Sequence, residues 1–115
     1  MTSKTFEISL EGTSSPNRVT KKEFEDAKAT LMAFYIFELN DAVTFNIRGG
    51  SNPEYSRSAS VTPSGVEQGK VGIKLDPTRD WQLQGNDAVA YFTVSRNGTP
   101  IPGQSHDLNF FVEEK

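Results

Sequence analysis

One stretch constrains this chain more than any other: residues 87–112, DAVAYFTVSRNGTPIPGQSHDLNFFV. Ala88, Ala90, Phe92 and Val94 alternate with Val89, Tyr91, Thr93 and Ser95. Further on, Leu108, Phe110 and Val112 alternate with Asp107, Asn109 and Phe111. Side chains along a strand point to opposite faces in turn, so a period of two marks a strand with one face on a core. Asn97-Gly98 and the run Pro100 to Gly103 supply turn chemistry between the two strands.

The same grammar recurs upstream. Thr5–Glu11 sets Phe6, Ile8 and Leu10 against Glu7, Ser9 and Glu11, and GTSSPN at 12–17 ends it with turn residues. Ala42–Arg48 reads as a strand with Val43, Phe45 and Ile47 inward, between a turn at Asn40-Asp41 and a GGSNP loop at 49–53. Tyr55–Thr62 is a polar strand with Tyr55, Ala59 and Val61 on one face. It suits a sheet edge, with Arg57 guarding against further pairing. Pro63–Gly69 reads as a turn, and Lys70–Leu75 as a strand ended by Asp76-Pro77, since proline cannot donate to a ladder. Residues 77–86 bridge to the last pair of strands, with Trp81 and Leu83 expected to close the bottom of the core.

Residues 20–37 are ambiguous. Thr20-Lys-Lys-Glu23 fits a capping box, and Phe24, Ala27 and Leu31 have helical spacing. From Leu31 to Phe37, however, every residue is apolar, and a helix apolar all round needs burial on all sides. The preferred reading is a short helical turn near residues 20–25 and a strand at about 27–33; the rival is a helix through residue 31. Phe34–Leu39 then crosses between sheets, with Phe34 and Phe37 plugging the core.

About seven short antiparallel strands at regular spacing predict an all-β, immunoglobulin-like β-sandwich. A length of 115 residues suits one domain, 1–115. Only 35% of residues are hydrophobic, but eight Phe, three Tyr and one Trp carry large buried area, and facing sheets need only alternate residues apolar.

From Ala27 onward the pattern resembles the tandem immunoglobulin-like repeats of long surface proteins in Gram-negative bacteria. The matching pieces are Phe34, Asn40-Asp41, AVTFNIRGG at 42–50, EYSRSASV at 54–61, VGIKLDP at 71–77, AYFTVSRNG at 90–98 and LNFFV at 108–112. Together they span about two thirds of the chain. Ile47 stands where such repeats often carry Trp, and the N-terminal part is less alike. The resemblance implies a sandwich and, by looser analogy, adhesion or spacing at a cell surface. It implies no catalytic residues. A second feature, Asp87 to Tyr91, has the spacing of a tyrosine corner, but the alternation turns Tyr91 outward.

Little in the chain favours catalysis. The single histidine, His106, adjoins Asp107, which in a strand points to the opposite face. With no cysteine there are no disulfides, thiolate ligands or thiol nucleophiles. Carboxylates at Asp76, Asp80 and Asp87 are the only realistic set for a calcium ion, without EF-hand spacing; turn formation is the plainer account. Glu23, Glu25 and Asp26 cluster on a charged turn, as solvated surface does. Asn97-Gly98-Thr99 is a formal glycosylation sequon, better explained as a hairpin turn. No catalytic, cofactor or metal residues are therefore assigned.

A net charge of −3 leaves no nucleic-acid footprint, and no run approaches the roughly 18 apolar residues of a membrane helix. The opening MTSKTFEISLEG lacks the apolar core of a signal peptide. The compartment stays open between cytoplasmic, leaderless export and excision from a longer protein. The expected function is non-enzymatic recognition of a protein or glycan through loops or a sheet face. The alternative is a structural spacer, or a subunit self-associating through sheet edges at Tyr55–Thr62 or the N-terminal strand. Candidate contacts are the loop Asn97, Gly98, Thr99, Pro100, Ile101 and Pro102, and the aromatics Tyr35, Tyr55, Tyr91 and Phe111, since exposed aromatics serve recognition.

Overall fold

The computed structural model describes residues 6–113. Its strands form two sheets. The smaller has the order β1–β3–β6, where β1 is Glu7–Glu11, β3 Thr30–Phe34 and β6 Lys70–Lys74. The larger has the order β2–β9–β7–β4–β5, from Arg18–Val19, Leu108–Val112, Asp87–Arg96, Ala42–Gly49 and Tyr55–Ser60. A short β8, Thr99–Pro100, pairs back on β7. Pairing is antiparallel except that β2 lies parallel to β9, which corrects the expectation of antiparallel strands throughout. The chain is mostly β, with two sheets enclosing one core.

The register carries the alternation into three dimensions. Val43, Phe45 and Ile47 of β4 lie opposite Val94, Phe92 and Ala90 of β7, and all six are buried. They meet Ile8, Leu10, Leu31, Ala33 and Ile73 from the smaller sheet. Phe45 and Phe92 pack with ring centres 6.1 Å apart. Asn97 and Gly98 both adopt positive φ (54° and 78°), the backbone a tight two-residue hairpin between Arg96 and Thr99 requires. Beyond it the chain returns along β7: Ile101 N–H donates to Val94 and Ser105 N–H to Phe92. The buried Ser105 hydroxyl accepts from Phe92 N–H at 2.9 Å, filling a rung the ladder would otherwise lose.

The ambiguous stretch resolves as the preferred reading had it. Helix α1, Lys21–Glu25, carries the full capping box between Thr20 and Glu23 and buries Phe24. Ala27 then takes a left-handed φ of 54°, and the strand begins at Thr30, three residues later than expected. Residues 35–41 cross between the sheets. Phe37 is buried in the core, whereas Phe34 is only half-buried. The opening strand is found from Glu7; Thr5 lies outside the described residues.

Three further expectations are corrected. Pro63–Gly69 is not a simple turn but holds a helix, α2 (Pro63–Gln68). Thr62 caps its start, proline occupies its first turn and Gly69 ends it in the left-handed region, so the punctuation was helical all along. Trp81 does not close the core: it stands exposed on a single 3₁₀ turn, Trp81–Leu83, while Leu83 is fully buried. A three-residue turn with 3₁₀ spacing can send only one side inward, and Leu83 takes that place. Gly49 lets this turn close on the end of β4, since a Cβ there would sit 2.6 Å from the Gln82 carbonyl oxygen. Finally, Arg57 does not guard the edge of β5; it turns inward to Asp80.

The chain's course gives the molecule two distinct ends. Phe6, the 35–41 crossing, α2 and the 97–103 hairpin gather at one: Tyr35 N–H donates to Gly69, Asn40 N–H to Val61, and Arg96 binds the crossing. The 3₁₀ turn, the end of β4 and the end of β9 gather at the other, where Gly85 N–H donates to Val112. The longest dimension is 42 Å.

Candidate functional site

The two faces of the larger sheet divide the side chains by position along each strand. On the outer face, β7 presents Asp87, Val89, Tyr91 and Thr93; β4 presents Thr44, Asn46 and Arg48; β9 presents Asn109 and Phe111; and β5 presents Ser56 and Ser58. The register places Tyr91 beside Asn46 and Val89 between Arg48 and Asn109. Asp87 lies beside Phe111. These residues are half-buried or exposed.

The face deepens at its β2 edge into an open groove of about 410 Å³ lined by Ser15, Asn17, Arg18, Asp87, Asn109 and Phe111, with Ala88 and Phe110 at its floor. The Arg18 guanidinium sits 5.0 Å from the centre of the Phe111 ring. It is held there by Glu113, with Nε and Nη2 at 3.0 and 2.9 Å from the same carboxylate oxygen. Glu113 also accepts from Lys21 N–H, and these contacts, the backbone one foremost, hold its carboxyl below the usual range. Arg18 is thus partnered, and Asp87 is the charge in the groove without an ion pair among the described residues. The groove offers amide, hydroxyl and carboxylate hydrogen-bonding groups beside an aromatic ring.

Of the four aromatics expected to be exposed, the structure puts two on this face. Tyr91 and Phe111 are half-exposed there, and Tyr91 turns away from the core, so no tyrosine corner forms. Four residues of strand separate Tyr91 from Asp87, so the two rings stand roughly 13 Å apart along the face. Tyr35 is instead buried, stacked on Phe6 at 4.2 Å and edge-on to Phe37 at 5.7 Å. Its parity in the apolar run 31–37 turned it inward at the sheet crossing. Tyr55 faces inward too, donating to Asp80 at 2.6 Å, and is committed to that contact.

The candidate loop divides. Asn97, Gly98, Thr99, Pro100 and Pro102 are exposed, whereas Ile101 is half-buried and packs on the core. The loop stands at the end of the molecule away from Phe111.

Two buried aspartates were not recognised as structural centres from the sequence. Asp41 accepts from both Nε and Nη2 of Arg96 (2.9 and 2.8 Å) and from Glu38 N–H. These Arg96 bonds hold its carboxyl below the usual range despite burial. Asp80, fully buried, accepts from Tyr55 O–H, Arg57 Nη1 at 2.7 Å and Asp76 N–H. Here burial dominates and pushes the carboxyl up, against the pull of those donors. The Tyr55 hydroxyl is pushed up as well, by burial and then by Asp80. Both aspartates therefore join segments: Asp41 ties the sheet crossing to β7, and Asp80 ties the loop after β6 to edge strand β5.

The three carboxylates of the Asp76, Asp80 and Asp87 set are engaged separately. Asp80 is filled by donors, Asp76 accepts from Thr78 and Arg79 N–H in its own turn, and Asp87 belongs to the outer face. His106 is exposed, its Nδ1 3.2 Å from the neighbouring Asp107 carbonyl. Among the described residues, no helix is long and apolar enough to cross a membrane. Comparison with family models, curated proteins and solved structures finds no match.

Proposed function

We propose that this chain is a non-enzymatic recognition module of immunoglobulin-like architecture, which binds a glycan or protein surface through the outer face of its larger sheet. The architectural part rests on strand order. An immunoglobulin sandwich sets its first, second and fifth strands in one sheet and its third, sixth and seventh in the other. Read that way, β1, β3 and β6 make the first set, and β4, β7 and β9 the second, extended at its edge by β5. Helix α2 stands where a further strand of the smaller sheet would run.

The observation that carries the binding reading is the composition of the open face. Tyr91 and Phe111 stand among Asn46, Arg48, Asn109 and Asp87, with the groove at one end. Aromatic rings offer contact area at low entropic cost, and fixed amides and charges flanking them give orientation. The test is retention of defined probes, an oligosaccharide array and a phage-displayed peptide library. The native chain should enrich at least one probe, and the double variant Tyr91→Thr/Phe111→Thr should lose it. Silence on both probes, or retention that ignores the double variant, counts against this reading.

A spacer role is favoured by one separate observation: the described chain enters at Phe6, stacked on Tyr35 of the sheet crossing, and leaves past Val112, at the opposite end of the sheets. Modules strung in series need that layout. The edge strands β5 and β1 offer a further route to assembly.

A further inference from the structure

The outer face of the smaller sheet carries an ordered charge pattern. The register lines its side chains up in rows across β1, β3 and β6. Glu7, Phe34 and Lys70 form the first row, Ser9, Met32 and Gly72 the second, and Glu11, Thr30 and Lys74 the third. All of these are half-buried or exposed, while the alternate residues Ile8, Leu10, Leu31, Ala33 and Ile73 fill the core. One edge of the face is therefore acidic and the other basic, and the middle strand sets an aromatic ring and a thioether between them. Met32 and Thr30 lean toward β6: a Cβ at Gly72 would meet the Met32 sulfur at 3.0 Å and the Thr30 methyl at 2.8 Å. The missing side chain leaves those two room to lie across β6, so the three strands make one continuous surface.

Among the described residues, none of Glu7, Glu11, Lys70 and Lys74 joins an ion pair. Glu11 accepts a hydrogen bond from the Ser9 hydroxyl at 3.3 Å. Neither Phe34 nor Met32 belongs to the core. Neighbours across adjacent strands stand about 5 Å apart, so each glutamate is about 10 Å from the lysine of its own row, with a β3 side chain between them. This pattern matches a second copy of itself turned over by a two-fold axis along β3. Glu7 then lies over the partner's Lys70 and Glu11 over the partner's Lys74, while Phe34 meets the partner's Phe34 and Met32 the partner's Met32. A two-fold axis across the strands would instead set Glu7 on the partner's Glu11 and Lys70 on the partner's Lys74. The charges therefore select one orientation.

We propose that this face is an isologous contact between two copies of the chain, smaller sheet against smaller sheet about the axis along β3. Facing sheets pack about 10 Å apart, a gap that Phe34 and Met32 from both sides fill and that opposed glutamate and lysine side chains span. The patch is small. Three strands about 4.8 Å apart, each of five residues rising about 3.4 Å, give roughly 240 Å² of plan area per copy. Two copies together stay below the roughly 1,000 Å² of a stable interface. The dimer is accordingly weak, with a dissociation constant on the order of 1 mM, and its ion pairs make it sensitive to salt. The recognition face proposed above lies on the far side of each sandwich, so pairing leaves both copies of that face open.

Sedimentation equilibrium on the full chain from about 50 µM to about 2 mM reads it out. The native chain should move from monomer toward dimer and no further, and about 1 M salt should weaken the association. Lys70→Glu/Lys74→Glu sets acid against acid at both edges and should stay monomeric. Reversing all four charges, Glu7→Lys/Glu11→Lys/Lys70→Glu/Lys74→Glu, restores the match at unchanged net charge and should dimerise as the native chain does. Amide chemical shifts that move with native concentration should fall on Ser9, Met32, Phe34 and Gly72. A native chain that stays monomeric at the highest concentration overturns the proposal. So do dimers of the Lys70→Glu/Lys74→Glu variant, a four-residue variant that folds by circular dichroism yet stays monomeric, or shifts confined to edge strand β5.

Discussion

The inner and outer faces of the larger sheet are built from the same strands, and often from adjacent residues, yet they are under different constraints. Along β7, Ala88, Ala90, Phe92 and Val94 are buried, while Asp87, Val89, Tyr91 and Thr93 look outward. The inner set even ends in Arg96, which has the same parity and closes the core through Asp41. Arg57 does likewise on β5 through Asp80. What the contrast teaches is that the inward residues are fixed by packing and by paired charge. The outward ones on β7 are half-buried or exposed, and among the described residues none of them joins an ion pair.

The largest break in that contrast should come from the inner face. Phe92→Ala removes a fully buried ring that touches Phe45 and Phe6, and should cost about 3–5 kcal/mol in chemical denaturation. Asp41→Ala should cost somewhat less, about 2–4 kcal/mol, because it leaves Arg96 without its bidentate partner while that side chain keeps some access to water.

The two buried aspartates should then separate by pH. Asp41, held low by Arg96, contributes stability that is present above the ordinary aspartate range and is lost as pH falls through its depressed value. Asp80, pushed up by burial, behaves in the opposite sense. Its contribution is present below the ordinary range and lost as pH rises through its raised value. Carboxyl-carbon NMR titration should find Asp80 taking its proton at higher pH than Asp41; the reverse order would mean that the Arg57 and Tyr55 bonds outweigh desolvation. The smallest stability effect belongs to the outer face. Tyr91→Thr keeps strand propensity and should change stability by less than about 1 kcal/mol, while the probe retained by the native chain is lost.

Much of the inner face was legible in the chain. Alternation at 42–48 and 88–94 reports burial directly, and the Asn97-Gly98 turn and the Thr20–Glu23 box report local backbone. What escaped depends on partners distant in sequence. Asp41 meets Arg96 across 55 residues, and Asp80 meets Arg57 across 23, so neither spacing announces a pair. Tyr35 and Tyr55 could not be sorted from Tyr91 without knowing which way the sheet crossing and edge strand faced. The groove was missed for the same reason, since it needs Asn17 and Arg18 beside Phe111, and the β2–β9 pairing joins distant parts of the chain. Helix α2, by contrast, is signalled by Thr62-Pro63 and Gly69, but at six residues it is short enough for the same residues to read as a turn.

The central claim, that the outer sheet face is the recognition surface, is tested most directly by amide chemical-shift mapping. The native chain, labelled with nitrogen-15, would be titrated with the best-retained oligosaccharide or peptide. The account predicts that shifts concentrate at Asn46, Arg48, Val89, Tyr91, Asn109 and Phe111. Shifts confined to the hairpin Asn97–Pro102, with that face unmoved, would contradict it.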